Sequence, residues 1–414
     1  MMPEWLLEEL QDITLHPETL QRAKLRTQVF TRNRKMDFAS ALSFLLDMRT
    51  TTLQTRLNEF FAHNGGGAPI SQQAFSKLRA NFDHSPFETM VRALVKEEYA
   101  GKYELPLWNG YHILADDGTY LQLPRNDVLR KEFGTHGGDG FCPFAGVSVL
   151  FDVLHGWVLD AIMTHSNMNE REECERHIEF LRQELPHIAE KAILLLDRGY
   201  LSADLLETLQ GSPLKFLARC KASFLSPISN APMGDSVLTL KRGGTVRVIK
   251  FMLSTGEVET LVTNLLDIPA EEFPALYAMR WGIETAYHRL KRELCVEKFS
   301  GKTPNTVRQD FWASMVLMNS VAVFQQAADN QVQDRQKAKG LKHPYRARTS
   351  DLIITLRNRF IFAVLCGVPA LTKLEIPSII KTIARTVSPV RPGRSFQRRF
   401  HLSLAANLNL KSCL

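Results

Sequence analysis

Residues 192–200 read AILLLDRGY, and the first five of them, Ala192 to Leu196, are an unbroken apolar run. A strand with one wet face alternates, so a continuous run closed by a turn marks a strand covered on both faces, placed centrally in a sheet. Strand texture continues upstream in YHILADDGTYLQLP (111–124) and FAGVSVLFDVLHGWVLDAIMTH (144–165), the second turning at His155 and Gly156. A helical stretch from about Arg171 to Gln183 separates these from the central run. Beyond it Ser202 reads as the cap of a helix ADLLETL, and Leu214 to Cys220 as a further strand. The sum is α/β: a mixed sheet flanked by helices. Residues 221–264 then read as hairpins, VLTL, KRGG, VRVIKF, a turn at Ser254 to Gly256 and VETLVTNLL, and form a β-rich insertion.

Helical periodicity dominates before about Ala100 and again beyond Val307, to Phe362. The expected division is therefore a helical N-terminal region 1–103, a mixed α/β domain 104–330 interrupted at about 221–264, and a basic helical C-terminal region 331–414. Near the N-terminus a glycine break at Gly65, Gly66 and Gly67 separates an amphipathic helix, Leu53 to Phe61, from ISQQAFSKLRANF, Ile70 to Phe82. The pair resembles a helix-turn-helix in which Ser71 caps the second helix. Phe75 and Leu78 then face the core, and Gln72, Gln73, Lys77 and Arg79 face a DNA groove.

Charge is unevenly placed. The 414 residues carry +7, yet Arg335 to Arg399 holds fifteen Lys/Arg against two acids, Asp351 and Glu375, so that stretch is +13 and the remainder −6. Such a region points to nucleic acid or an anionic membrane surface. The longest apolar run, Phe360 to Leu371, is broken by Gly367 and Pro369 and is too short for a span, and the acidic start MMPEWLLEELQD is unlike a signal peptide. No membrane role is expected. Six scattered cysteines fit a reducing cytosol and show no zinc or disulfide spacing.

Chemistry concentrates in YAMRWGIETAYHRLK, residues 277–291. Wound as one α-helix it puts Tyr277, Arg280, Glu284 and Lys291 within an arc of roughly 60°, beside an apolar stripe of Leu276, Met279, Ile283, Leu290 and Leu294. The plain reading is a solvated face with an i,i+4 pair. Asp117 and Asp197, each at the end of a strand-like run, have plain readings as turn residues, Asp117-Gly118 being a hairpin signal. Together the three acids read differently, because two carboxylates about 4 Å apart repel by roughly 4 kcal/mol at an effective dielectric near 20. Such a cluster calls for a cation. Oxygen ligands without His or Cys suit magnesium, or manganese, and a two-ion site hydrolyses or transfers phosphodiesters. Asp116 competes with Asp117, since alternation points the two to opposite faces, and Asp152 and Asp160 also lie in strand-like segments.

The intervals between Tyr277, Arg280, Glu284 and Lys291, together with DGT at Asp117 and LLLDRGY around Asp197, resemble the insertion-sequence DDE transposases of the fourth family. LVTNLLDIPAEEFPALYAMRWGIE and SQQAFSKLR are similar to that family's approach to the glutamate and to its N-terminal region, so the likeness runs from about residue 30 to about 400. The resemblance implies an RNase H-like fold with a β insertion before the glutamate. It makes Asp117, Asp197 and Glu284 catalytic and the ligands of two Mg2+ ions, with Mn2+ as a substitute. It places Tyr277, Arg280 and Lys291 on the DNA end; Arg219 and Lys221 in FLARCK and Lys241, Arg242, Arg247 and Lys250 in the hairpins are candidate backbone contacts, although hairpin tips and edges are commonly charged simply for solubility. It implies cleavage at the inverted repeats of an element, attack of the freed 3′-hydroxyl on target DNA, a homodimer on two double-stranded DNA ends, and a bacterial cytoplasm near the nucleoid. The tail arginines Arg391, Arg394, Arg398 and Arg399 around Phe396 and Phe400 fit a DNA arm. The alternatives are an inactive DNA-binding relative, a structure-selective nuclease of similar fold, and a carboxylate-pair glycosidase. The last is disfavoured by the basic region and the lack of sugar-stacking aromatics.

Overall fold

The structure is a computed structural model, and it describes residues 3–31, 34–46, 51–63, 67–137, 140–242, 244–339, 344–356 and 369–390. The tail arginines lie outside the described residues, as do Gly65 and Gly66. Two compact units are present, one of residues 1–94, 122–143 and 290–414, the other of residues 95–121 and 144–289. These limits differ from a division at 103 and 330. The helix Pro304–Lys339 is placed with the N-terminal helices, and Lys291 is placed apart from Tyr277, Arg280 and Glu284.

The unit of residues 95–121 and 144–289 is built on one eight-stranded sheet: β1 (His112–Gln122), β2 (Phe144–Asp152), β3 (Trp157–His165), β4 (Ala192–Leu196), β5 (Lys215–Arg219), β6 (Gly234–Thr239), β7 (Thr245–Met252) and β8 (Val258–Thr263), in the order β3-β2-β1-β4-β5-β8-β7-β6. β4 is central as expected. All five of its side chains have no exposed surface, and it runs parallel to β1 (His112 opposite Ala192) and to β5 (Ile193 opposite Lys215). Burying five aliphatic side chains contributes on the order of 10 kcal/mol before chain entropy is counted. β2 and β3 are antiparallel, joined through a turn in which Gly156 takes a positive φ of 79°. This is the helix-flanked mixed sheet that the sequence predicts. The hairpins of residues 221–264 are not a separate module: β8 pairs antiparallel with β5, and β7 and β6 follow, so they extend the same sheet.

Asp117-Gly118 is not a turn, because β1 runs straight through it. Gly118 is closely approached by side-chain ends: a Cβ there would lie 2.6 Å from Glu170 Oε1 and 2.8 Å from Met168 Cε, so a larger residue would displace both. The helix Glu170–Glu184 packs on β2 and β3, and the helix Ala203–Gln210 begins as expected, with Ser202 Oγ accepting from the Leu205 amide.

The other unit is largely helical. The 36-residue helix Pro304–Lys339 packs against Phe38–Leu46, and a short hairpin pairs Tyr345–Ala347 with Val387–Pro389. Helices Leu53–His63 and Gln72–Arg79 are joined by Gln54, whose Oε1 accepts from the Gln72 amide, and Ser71 Oγ caps the second by accepting from the Ala74 amide. Among the described residues no helix is long and apolar enough to cross a membrane.

Candidate active site

Three segments of the sheet-containing unit converge. Asp117 comes from the middle of β1, Asp197 follows the last residue of β4, and Glu284 lies on the helix Trp281–His288. That helix is not one rod from Tyr277 to Lys291. Phe273–Ala278 ends, Met279 and Arg280 are joined by i→i+3 bonds (Met279 N to Leu276 O, Arg280 N to Tyr277 O), and Arg289–Glu293 is a π-turn. Tightening before Glu284 and loosening after it change the angular step per residue, so a uniform 100° projection does not carry as far as Lys291. Tyr277, Arg280 and Glu284 nonetheless share a polar edge.

Arg280 Nη2 donates to Glu284 Oε1 at 2.9 Å, and its Nη1 lies 3.7 Å from Asp117 Oδ2. The Tyr277 hydroxyl donates to Asp197 Oδ1 at 3.1 Å. The Tyr287 hydroxyl bonds the Asp117 carbonyl, fixing the strand from the side. Gly282 lets the helix come close, since a Cβ there would sit 2.5 Å from Val153 Cγ1 in the β2–β3 turn.

Electrostatics mark the same place. Burial pushes the Asp117 carboxyl up to about 7, Glu170 and Asp197 add to the rise, and Arg280 and the Gly118 amide oppose it. Burial alone lowers the Arg280 pKa, but Asp197, Tyr277, Glu284 and Asp117 outweigh it and raise the net value. Burial and the adjacent Asp197 raise the Tyr277 hydroxyl. Asp116 points to the other face and is fully buried, where Ser148 Oγ and the Tyr200 hydroxyl each donate to it at 3.2 Å. His177 links Ser148 Oγ (3.1 Å) to Asp160 Oδ2 (2.9 Å). Asp152 is engaged elsewhere, by the Tyr99 hydroxyl at 2.9 Å. Asp116, Asp152 and Asp160 are thus engaged in the interior, and Asp117 is the aspartate that meets Arg280.

The donor set is oxygen-only, which suits a hard divalent ion. Among the described residues no three His, Cys, Asp or Glu groups are placed to hold one ion. The positive charge between Asp117 and Glu284 is the Arg280 guanidinium, standing where a cation is electrostatically wanted. The residues match a divalent ion in charge and donor chemistry, but Arg280 pairs with two of them and they are not arranged to hold one.

Several expected DNA contacts are structural. Arg79 is 1% exposed and donates to Gln309, Ser300, Thr306 O and Asp310, so it ties its helix to the start of Pro304–Lys339 and does not face a groove. Arg247 is buried and spends its guanidinium on Asp235 and the carbonyls of Leu265, Leu266 and Ile268, while Lys250 donates to Ser229 O and Ala231 O. Arg219 is paired with Glu259 at 2.6 Å, and Arg242 with Asp204 and Glu207. Gln73, Lys77, Lys221 and Lys241 are exposed. Lys291 lies in the π-turn, and burial lowers its pKa. Sequence alone does not single out Tyr287 and Gly282, whose contacts seat the Glu284 helix against β1 and the β2–β3 turn. Of these Tyr287 had a legible signal, since it lies three residues past Glu284 and shares its helical edge.

Residues 108–320 match the family of transposase DDE domains. Transposase InsG of insertion sequence element IS4 from Escherichia coli K12 is 24% identical over 239 residues, which are 52% of this chain and 52% of that protein. A putative transposase, y4zB, of Sinorhizobium fredii is 34% identical over 86 residues, 21% of this chain and 23% of that one. The chain thus spans about half or less of these curated relatives' lengths. The piggyBac transposase synaptic complex with hairpin DNA is similar at a TM-score of 0.49 and 11% identity, covering 94% of this chain and 84% of that one. The chain belongs to the DDE transposase domain family, since the match extends over half of its length.

Proposed function

We propose that this chain is a DNA transposase that cleaves the ends of an insertion sequence and joins the freed 3′-hydroxyl to target DNA. The observation that carries the reading is the convergence of Asp117, Asp197 and Glu284 on one edge of the sheet, each engaged by a residue of the Tyr277 to Glu284 segment or, for Glu284, engaged within it. Bound Mg2+ would supply activation of the attacking oxygen and stabilisation of the leaving one, and Asp117, Asp197 and Glu284 would hold it. Arg280 fits two roles: it balances Asp117 and Glu284 without DNA, and its guanidinium suits a phosphate oxygen when a DNA end enters. Tyr277 holds Asp197 and presents its ring toward the end. Lys291, and the exposed Gln73, Lys77 and Lys221, are proposed DNA contacts, and Arg219 becomes one if DNA displaces Glu259. A homodimer on two inverted-repeat ends is the proposed assembly.

The test uses a labelled duplex of the element's end, with Mg2+ and a target plasmid. The wild type is expected to nick the duplex and to join a pre-nicked end to plasmid, whereas E284A still shifts the duplex on a gel and does neither. Nicking without joining would favour the nuclease reading, and nicking by E284A would remove Glu284 from the chemistry.

A further inference from the structure

We infer that the Tyr200 hydroxyl is a positioning group of the proposed active site: it ties the turn after Asp197 to β1 and so fixes Asp197 against Asp117. This rests on the reading of both aspartates as catalytic.

The backbone ladder stops short of the two acids. β1 and β4 pair in parallel from His112 opposite Ala192 to Ala115 opposite Leu195, and there the pairing ends. Asp117 and Asp197 each lie two residues past that last pair, at equivalent positions on the two chains. The charge on Asp197 disfavours ionisation of Asp117, so the acids themselves push the two segments apart.

A side-chain bond takes over where the ladder stops. Tyr200, three residues past Asp197, is 1% exposed, and its hydroxyl donates to Oδ1 of Asp116, the neighbour of Asp117, at 3.2 Å. The turn that carries it is fixed independently. The Tyr200 amide donates to Asp197 O at 3.1 Å, and Arg171 donates to Tyr200 O at 2.9 Å and to Gly199 O at 3.0 Å. The hydroxyl passes the stiffness of this turn to the strand that bears Asp117.

The plain alternative is a buried phenol that has simply found an acceptor. Asp116, however, has a second donor on the same oxygen, Ser148 Oγ at 3.2 Å, and His177 orders Ser148 by linking it to Asp160. The two donors come from opposite sides. Ser148 lies on β2, which flanks β1 on the side away from β4, whereas Tyr200 belongs to the turn after β4. Losing either removes one bond from Asp116, but only the loss of the Tyr200 hydroxyl unties the two acid-bearing segments from each other.

The test compares wild type, Y200F and S148A in the full-length protein, with melting temperature as the check on folding. Y200F removes one oxygen and keeps the ring. Hydrogen exchange followed by mass spectrometry should quicken in Y200F in peptides covering both 114–119 and 196–201, and in S148A in the first alone. In Mg2+-dependent nicking of the element's end, Y200F should lower kcat by about 10-fold or more with an unchanged KM for the duplex, because reacting geometry is lost while DNA contacts remain. S148A should lower kcat by less than about threefold, a contrast that general loosening around Asp116 does not give. Unchanged exchange in Y200F, faster exchange with wild-type kcat, or an equal fall in kcat for the two variants overturns the role of Tyr200. Absence of nicking by the wild type overturns the transposase reading and this inference with it.

Discussion

Asp117 shows how burial tunes an acid of the candidate site. The folded protein holds its proton up to about pH 7 against 3.8 for the ordinary group, so the native state binds more protons than the unfolded chain between those values. The sign follows: this group favours the fold most below about pH 4, and its contribution falls as pH rises toward 7. In EDTA, D117N should therefore melt above the wild type at pH 8, with the gap closing as pH is lowered to 4.5. At most about 4 kcal/mol is available, less the lost attraction to Arg280. An unchanged gap across that range would mean that Asp117 ionises normally. Which aspartate meets Arg280 was not legible from residue chemistry, since alternation allowed either of two neighbours. The resemblance selected Asp117, and the bonds of Ser148 and Tyr200 to Asp116 give the physical reason.

At the scale of elements, what was legible was what depends on near neighbours in sequence. β4, the β2–β3 turn and the Ser71 and Ser202 caps follow from local patterns, and the structure has them. The break at Met279–Arg280 and the π-turn at Arg289–Glu293 interrupt the regular period, so a uniform helical projection missed them. The seat of the Glu284 helix depends on Gly282, where an added methyl meets Val153. G282A should cost about 1–3 kcal/mol in urea unfolding and should slow nicking by displacing Glu284 two residues away. The double variant G282A/V153A should regain part of both by making room. If G282A is as stable and active as wild type, the close approach is not what positions the glutamate.

For the whole molecule, net charge overstates the surface available to DNA. Arg79, Arg247 and Lys250 are consumed inside the fold, and a linear reading could not separate them from exposed Lys77 and Lys221 because burial of a cation depends on distant partners such as Asp310. The membership of Pro304–Lys339 in the same unit as the N-terminal helices was hidden for the same reason. K77A/K221A should lower the salt dependence of DNA binding by about two phosphate contacts without changing melting. R79M should instead destabilise by about 3–5 kcal/mol, by leaving Asp310 without its charge partner. A normal salt slope in the first, or normal stability in the second, would reverse those assignments. The account as a whole depends on three acids from separate segments acting as a unit, and the most direct measurement is Mg2+-dependent nicking by D117N, D197N and E284Q, singly and in pairs. Each single variant is predicted to fall to background with no further loss in the pairs, as groups that act together do; wild-type nicking by any one of them, or losses that multiply on combination, would contradict it.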